Sequence, residues 1–371
     1  MFDRLTIGRS FSARTNSLNF LRLVMAILVI VSHMWLGGFR DPFLMNQTSV
    51  GNMAVYGFFA ISGFLIASSA LRNSFGRFLW QRFLRIFPGY WVCLGVTAFL
   101  FGTVAWEHQA HSIGLHCGVV TCYFGSDTGP WQYVYHNLFL RIDQPRIANT
   151  PVGVAWPYSW NVSLWTLIYE FLCYLLLGGL AVVGLLRRRV AVLVFTGCLW
   201  VCEVIVGIAN PHMTNFTWRI LTLVPIFLTG SLLFLYRDKI PDSGYMAIGL
   251  AILYLASPWL PFGGIVTPFR VTINASQVLA PLIAYPLFWL GIHLPLHRFG
   301  ARNDYSYGVY IYAGPVAQML AMWQVQRWGY GAYLALAIAG TVPFAVASWW
   351  IIERHALRLK KLLSKSNQVS S

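Results

Sequence analysis

Long apolar runs alternate along the chain with short polar interruptions, at 18–37, 50–71, 86–104, 159–182, 190–209, 217–236, 245–262, 277–294, 305–324 and 332–352. Each is close to the roughly 20 residues a helix needs to cross a bilayer. The pattern predicts an all-α polytopic membrane protein with about ten transmembrane helices. No internal repeat, low-complexity stretch or composition shift marks a second soluble domain. The expected organisation is a segment 1–15, a transmembrane domain 16–355 that includes one long outside loop at 105–158, and a tail 356–371. Composition agrees: 57% of residues are hydrophobic and only 10% charged, against roughly 25% charged in an ordinary soluble domain.

Charge then orients the spans. The formal net charge is +15, which on a soluble protein would suggest nucleic-acid binding, but here the basic residues sit in short clusters between apolar runs. With the N-terminus cytoplasmic, inside segments hold Arg4 to Arg22, Arg72 to Arg85, Arg187 to Arg189, Arg237, Lys239, Arg298, Arg302 and Arg354 to Lys365, twenty of the 26 Lys and Arg. The other six, Arg40, Arg141, Arg146, Arg219, Arg270 and Arg327, fall in or beside outside segments. This positive-inside bias predicts that both termini are cytoplasmic. It explains the charge without a nucleic-acid partner.

The outside loop 105–158 is rich in Trp, His, Gly and Pro, and its stretch Trp131-Gln132-Tyr133-Val134-Tyr135 reads as a short helix along the interface. Two roles are open for its rings: capping an acceptor cavity and stacking on sugar faces, or forming an interfacial aromatic belt. The loop also holds Cys117 and Cys122, compatible both with a small disulfide and with two free thiols. Cys93, Cys173, Cys198 and Cys202 lie in spans, where a free Cys acts as a small hydrophobe.

Ionisable groups within a bilayer are costly and usually line a cavity or pair with something. Arg22 and His33 in the first span, Glu170 in the fourth and Glu203 in the fifth stand out. Arg22 and His33 are eleven positions apart, which returns to within roughly 20° of one helix face about 16 Å further along the axis. His33 therefore falls near the middle of the apolar layer, where a cytosolic and an outside group could meet. A lone intramembrane His more often satisfies an interhelical hydrogen bond than performs catalysis. Glu203 reads as structural.

Ordered motifs change that weighing. The opening Asn16-Ser17-Leu18-Asn19-Phe20-Leu21-Arg22, running on to Val31-Ser32-His33, resembles the start of the membrane acyltransferase-3 family. So do Phe58 to Ile66 in the second span, Arg82-Phe83-Leu84-Arg85-Ile86-Phe87-Pro88, Trp160-Asn161-Val162-Ser163-Leu164-Trp165 on to Tyr169-Glu170, Tyr305 to Tyr310, and Ile351-Ile352-Glu353-Arg354. Each piece is short, but they run in the family's order over about residues 16–355. Two departures stand out. Ala313 precedes Pro315 where many relatives carry a histidine, and the opening has Asn19 without the common acidic-glycine pair, as in the branch that acetylates exopolysaccharides and O-antigens.

The resemblance implies an O-acetyltransferase of a bacterial inner membrane. It would move an acyl group, most often acetyl, from cytosolic acyl-CoA to a hydroxyl of a surface glycan or lipid-linked saccharide, with no metal. His33 is then the expected general base, since an imidazole can take a hydroxyl proton near neutral pH. Arg22 is expected at the donor, and Arg82 and Arg85, three apart on one helix face, are expected to clamp its phosphates. Their alternative reading is ordinary cytoplasmic basic residues. Glu170 is expected to orient His33 or pair with an Arg, and Trp160, Trp165 and Tyr169 to contact the acceptor. Ser62 before Gly63 reads as a close-packing position rather than an acyl-carrying nucleophile. The rival class is a glycolipid or small-molecule transporter, which buried Arg, His and Glu would also suit.

Overall fold

The computed structural model describes residues 5–40, 48–109, 118–209, 216–260, 266–267, 269–270, 275–300 and 303–361. In chain order the helices are α1 (Ile7–Ser10), α2 (Leu18–Ser32), α3 (Val50–Arg72), α4 (Phe75–Val96), α5 (Gly102–Gln109), α6 (Pro130–His136), α7 (Trp165–Val182), α8 (Arg189–Ala209), α9 (Phe216–Tyr236), α10 (Gly244–Ala256), α11 (Ala275–Val278), α12 (Ala284–His293), α13 (Ser306–Met322), α14 (Tyr330–Ala347) and α15 (Arg354–Arg358). One two-residue antiparallel pair, Val266–Thr267 with Phe269–Arg270, interrupts the helices among the described residues.

Among the described residues seven helices are long and apolar enough to cross a membrane: Leu18–Gly37, Val50–Arg72, Phe75–Gln109, Trp165–Val182, Arg189–Ala209, Phe216–Tyr236 and Tyr330–Arg358. The three other predicted spans are shorter as helices. Gly244–Trp259 and Ala280–His293 fall below spanning length, and α13 has 17 residues. Proline accounts for part of this: Pro258 and Pro281 each sit in a tight 3-10 turn at the end of an α-helix, because proline lacks the N–H that α-helical bonding requires. The chain is a multi-pass helical membrane protein.

The chain forms two compact units, residues 1–25, 43–79 and 169–304 in the first and 26–42, 80–168 and 305–371 in the second. In the first, α3 packs along α9 through small residues. A side chain on Gly63 would run into the Phe227 carbonyl and one on Gly230 into the Ala60 carbonyl, and Ser231 Oγ donates to the Gly63 carbonyl at 3.0 Å. Without water to expel, helices in lipid associate through such close backbone approach. Phe64 fills the adjoining space, stacked on Phe288 at 4.0 Å and edge-on to Phe11 and Phe234. By contrast α8 turns Leu193, Val194, Val201 and Ile205 outward, the pattern of a lipid-facing helix.

The N-terminal segment is strapped to this unit. Ile7 N–H donates to the Ile240 carbonyl at 3.0 Å and Gly8 N–H to the Arg237 carbonyl at 2.9 Å. Asp242 accepts from Ser10 Oγ and meets His293 Nε2 at 2.8 Å. Burial pulls the Asp242 carboxyl upward, but hydrogen bonds from Ser10 and His293 outweigh it and hold the group below its usual range.

In the second unit α13 is buried almost throughout and packs on α14, with Gly308 tight against Ala345. Pro315 cannot donate to the Ile311 carbonyl one turn back. Asn161 Nδ2 supplies that bond at 2.7 Å and Cys93 Sγ adds a second at 3.3 Å. The Tyr310 hydroxyl likewise meets Thr166 Oγ1 at 2.6 Å and donates to the Ser163 carbonyl at 2.8 Å. The tryptophan-serine-leucine stretch is thus fastened to the tyrosine-rich helix by filling the bond a proline left open.

The loop 105–158 contains regular structure among its described residues. Residues 130–136 form the short helix the aromatic stretch predicted, with Tyr133 buried and Trp131 and Tyr135 exposed. Behind it, Asn137 is fully buried and bonds three backbone groups, at Asp143 and Gln144. Cys122 is disulfide-bonded, while Cys93, Cys173, Cys198 and Cys202 are free. Cys117 lies outside the described residues.

Candidate active site

His33 ends the regular part of the first span. The helix α2 runs to Ser32, and from His33 the chain tightens into a 3-10 turn through Gly37 that stops at Gly38, where φ is +83°. A non-glycine residue would be strained at that angle. Below the turn, Gly37 leaves room for the Tyr333 ring of α14, whose hydroxyl donates to the Ala317 carbonyl at 2.6 Å. The imidazole is half-buried. Its Nδ1 is shut from solvent and makes no well-formed hydrogen bond, the Val29 carbonyl being the backbone group it approaches. A buried polar atom left in that state needs an explanation, and a working role in chemistry is one.

The residues expected at the donor belong to both units. In the first unit, Arg22 Nη1 pairs with Asp304 Oδ2 at 2.9 Å, both side chains largely buried, while its Nε is buried with no hydrogen-bond partner. One edge of the guanidinium is therefore fixed by the protein and another is left unspent. In the second unit, Arg85 Nη1 pairs with Glu353 Oε2 at 3.4 Å and lies 5.5 Å from the centre of the Tyr307 ring, whose hydroxyl bonds the Ile86 carbonyl at 2.6 Å. Glu353 also accepts from Ser348 Oγ at 3.0 Å.

A third cation joins Arg82 and Arg85. Lys360 sits on the short turn after α15, and Trp80 Nε1 ties that turn to α4 by donating to the Leu359 carbonyl at 3.3 Å. Burial pushes the Lys360 ammonium down to about 8, and the charges of Arg82 and Arg85 push the same way. Glu353 answers part of this positive charge through Arg85, and three cations gathered at one place are suited to a phosphate as a further anion.

Glu170 lies in the first unit, where its Oε1 accepts from Ser62 Oγ at 3.1 Å and from the Tyr174 hydroxyl. Its partners are hydroxyls rather than a guanidinium. Ser62 thus combines the packing position expected beside Gly63 with a bond to this carboxylate. Glu203 is almost fully buried in the same unit, beside Thr222.

Of the aromatic residues expected at the acceptor, Trp160 is fully buried and its indole N–H donates to Thr150 Oγ1 at 3.2 Å. Trp165 is half-buried at the start of α7. Tyr169 is buried in the first unit, its ring 5.1 Å from that of Phe216. The rings that stand near His33 are different ones. Trp35 is edge-on to the imidazole at 5.9 Å, Trp156 edge-on to Trp35 at 4.9 Å, and Tyr158 edge-on to Trp156 at 4.9 Å.

Sequence reasoning missed Asp304, Lys360, Trp35, Trp156 and Tyr158. A signal existed for some of them. The chain has only 11 acidic residues, so Asp304, next to the Tyr305 motif, could have been marked as a counter-ion. Nothing in the spacing of Trp35 and Trp156 announces their contact.

Comparison with known proteins gives the class. A family model for an acyltransferase domain, the acyltransferase-3 family, matches residues 15–351. The chain belongs to this family and is an acyltransferase, a multi-pass membrane enzyme. It is 28% identical to an O-acetyl transferase of Shigella phage Sf6, the match covering 93% of this chain and 96% of that protein. It is also 28% identical to nodulation protein 10 of Rhizobium leguminosarum bv. viciae, over 95% of this chain and 96% of the relative. No solved structure matches.

Proposed function

We propose that the protein is an O-acetyltransferase of a bacterial inner membrane, with ten spans and both termini cytoplasmic, that carries acetyl from acetyl-CoA to a hydroxyl of a surface glycan or lipid-linked saccharide. The observation that carries this reading is the state of His33, a half-buried imidazole on a tight turn with one buried nitrogen in no well-formed bond, within a chain of the acyltransferase family. The phage relative's name supports oxygen as the accepting atom and acetyl as the group. His33 takes the acceptor's hydroxyl proton as the oxygen attacks the thioester carbonyl carbon. The carbon–sulfur bond then breaks, and the proton returns to the departing thiolate, giving an ester and free CoA.

Arg82, Arg85 and Lys360 hold the donor's phosphates, and Arg22 uses its unspent edge toward the donor. Glu170 supports the site through Ser62 and Tyr174. Trp165 and Tyr169 remain acceptor-side residues in this reading, whereas buried Trp160 serves by fixing the loop at Thr150.

The direct test supplies isolated membranes with radiolabelled acetyl-CoA. The expected result is label in a saccharide-containing product, removed by mild alkali as an ester would be. Absence of label in any product, with saccharide uptake by vesicles of the purified protein, would instead establish a transporter.

A further inference from the structure

The second unit contains a row of rings that neither the family match nor the roles above use. It begins at the imidazole of His33 and passes through Trp35, Trp156 and Tyr158, with centroid separations of 5.9, 4.9 and 4.9 Å and interplanar angles of 67°, 81° and 73°. Exposure rises along it: Trp35 is half-buried, Trp156 is 37% exposed and Tyr158 63%. The row thus leads from the half-buried imidazole to an open surface.

The protein builds the row rigidly from both sides. His33 and Trp35 share one 3-10 turn, closed by the left-handed Gly38, which lies 3.6 Å from the Ala155 side chain when given a Cβ. The other half is held by Gln318 of α13, a fully buried amide whose Nε2 donates to the Trp156 carbonyl at 2.9 Å and the Ser159 carbonyl at 2.7 Å. A buried amide that fixes the loop on either side of two exposed rings spends interior polar bonds on their position. An aromatic belt that only anchors the chain in lipid needs no such fixing, because its rings can settle anywhere along the interface.

We infer that Trp35, Trp156 and Tyr158 form the binding platform for the saccharide acceptor and deliver its hydroxyl to His33. A sugar ring presents apolar C–H faces with hydroxyls at its rim. It suits aromatic surfaces that carry their own polar groups, here two indole N–H groups and a phenol. Two χ angles per ring keep the ordering cost low. This inference rests on the reading of His33 as the base for a glycan hydroxyl, and it assigns that acceptor its place.

The test measures initial rates with radiolabelled acetyl-CoA and oligosaccharides released by mild acid from the source cell's own surface polysaccharide. Tyr158→Ala, at an exposed ring, should fold normally; Trp156→Ala and Trp156→Phe probe the middle of the row. The expected result is an acceptor KM raised roughly three- to tenfold by either alanine change, with Trp156→Phe between them and the wild type. The KM for acetyl-CoA should stay unchanged. An unaltered acceptor KM in Tyr158→Ala and Trp156→Ala overturns the platform. So does a parallel change in both KM values, kcat and thermal midpoint, which would mark the rings as structural. His33→Ala separates the two readings: if it keeps full activity the assignment of the base has failed, whereas if it is inactive while the aromatic variants bind acceptor normally, only the platform has failed.

Discussion

Glu170 and His33 are both ionisable groups set within apolar helices, one in each compact unit, and their surroundings differ. Glu170 is answered by the protein: Ser62 and Tyr174 both donate to it. His33 is left with a buried nitrogen in no well-formed bond and with aromatic edges around it. A buried group whose bonds are filled fixes helices against each other, and one with capacity left over has room for a further partner. The contrast matches the roles proposed for the two residues, His33 in the chemistry and Glu170 in support.

The largest effect that would break this contrast is at His33. Replacing it with Ala should lower the transfer rate by about 10²- to 10⁴-fold, the usual contribution of a general base. Membrane insertion and thermal midpoint should be unchanged. Next comes Glu170→Gln, which removes the charge but keeps an oxygen where both hydroxyls donate. It should reduce kcat by less than about tenfold, below the range expected for loss of a group acting in the chemistry itself. A loss as deep as that of His33→Ala would show that the charge of Glu170 takes part in the reaction.

A smaller effect is expected at the cationic group. Lys360→Met should raise the KM for acetyl-CoA by roughly three- to tenfold through loss of one charge-assisted contact, with kcat little changed. Lys360→Arg should largely restore it. Smallest is a pH effect at the N-terminal strap. Because the Asp242 carboxyl is held below its usual range in the folded protein, its contribution is present above the ordinary carboxylate range and lost as pH falls through the lowered value. Thermal unfolding of the purified protein in detergent should show acid destabilisation that Asp242→Asn reduces.

Much of the fold was legible because the bilayer imposes it. A run of apolar residues long enough to cross lipid has almost no choice but to be helical, since every backbone polar group must bond within the segment. That logic found Leu18–Gly37 and Val50–Arg72 with accurate limits. It overstated the helix near 277–294, where Pro281 tightens the first turn and the α-helix begins only at Ala284. The motif residues were legible too, yet their partners were not. Arg22 meets Asp304 across 282 positions and Arg85 meets Glu353 across 268, and nothing local encodes such pairings.

The cost of exposed backbone in lipid and the excess of cations between spans are properties of composition and order, so the sequence by itself determined a helical membrane protein, and its ordered motifs determined the acyltransferase family. Which groups meet is a property of packing. The Asn161 amide capping the carbonyl that Pro315 leaves open, Lys360 joining Arg82 and Arg85, and the rings of Trp35 and Trp156 coming together were decided only by tertiary structure. Each depends on segments far apart in the chain arriving at contact distance.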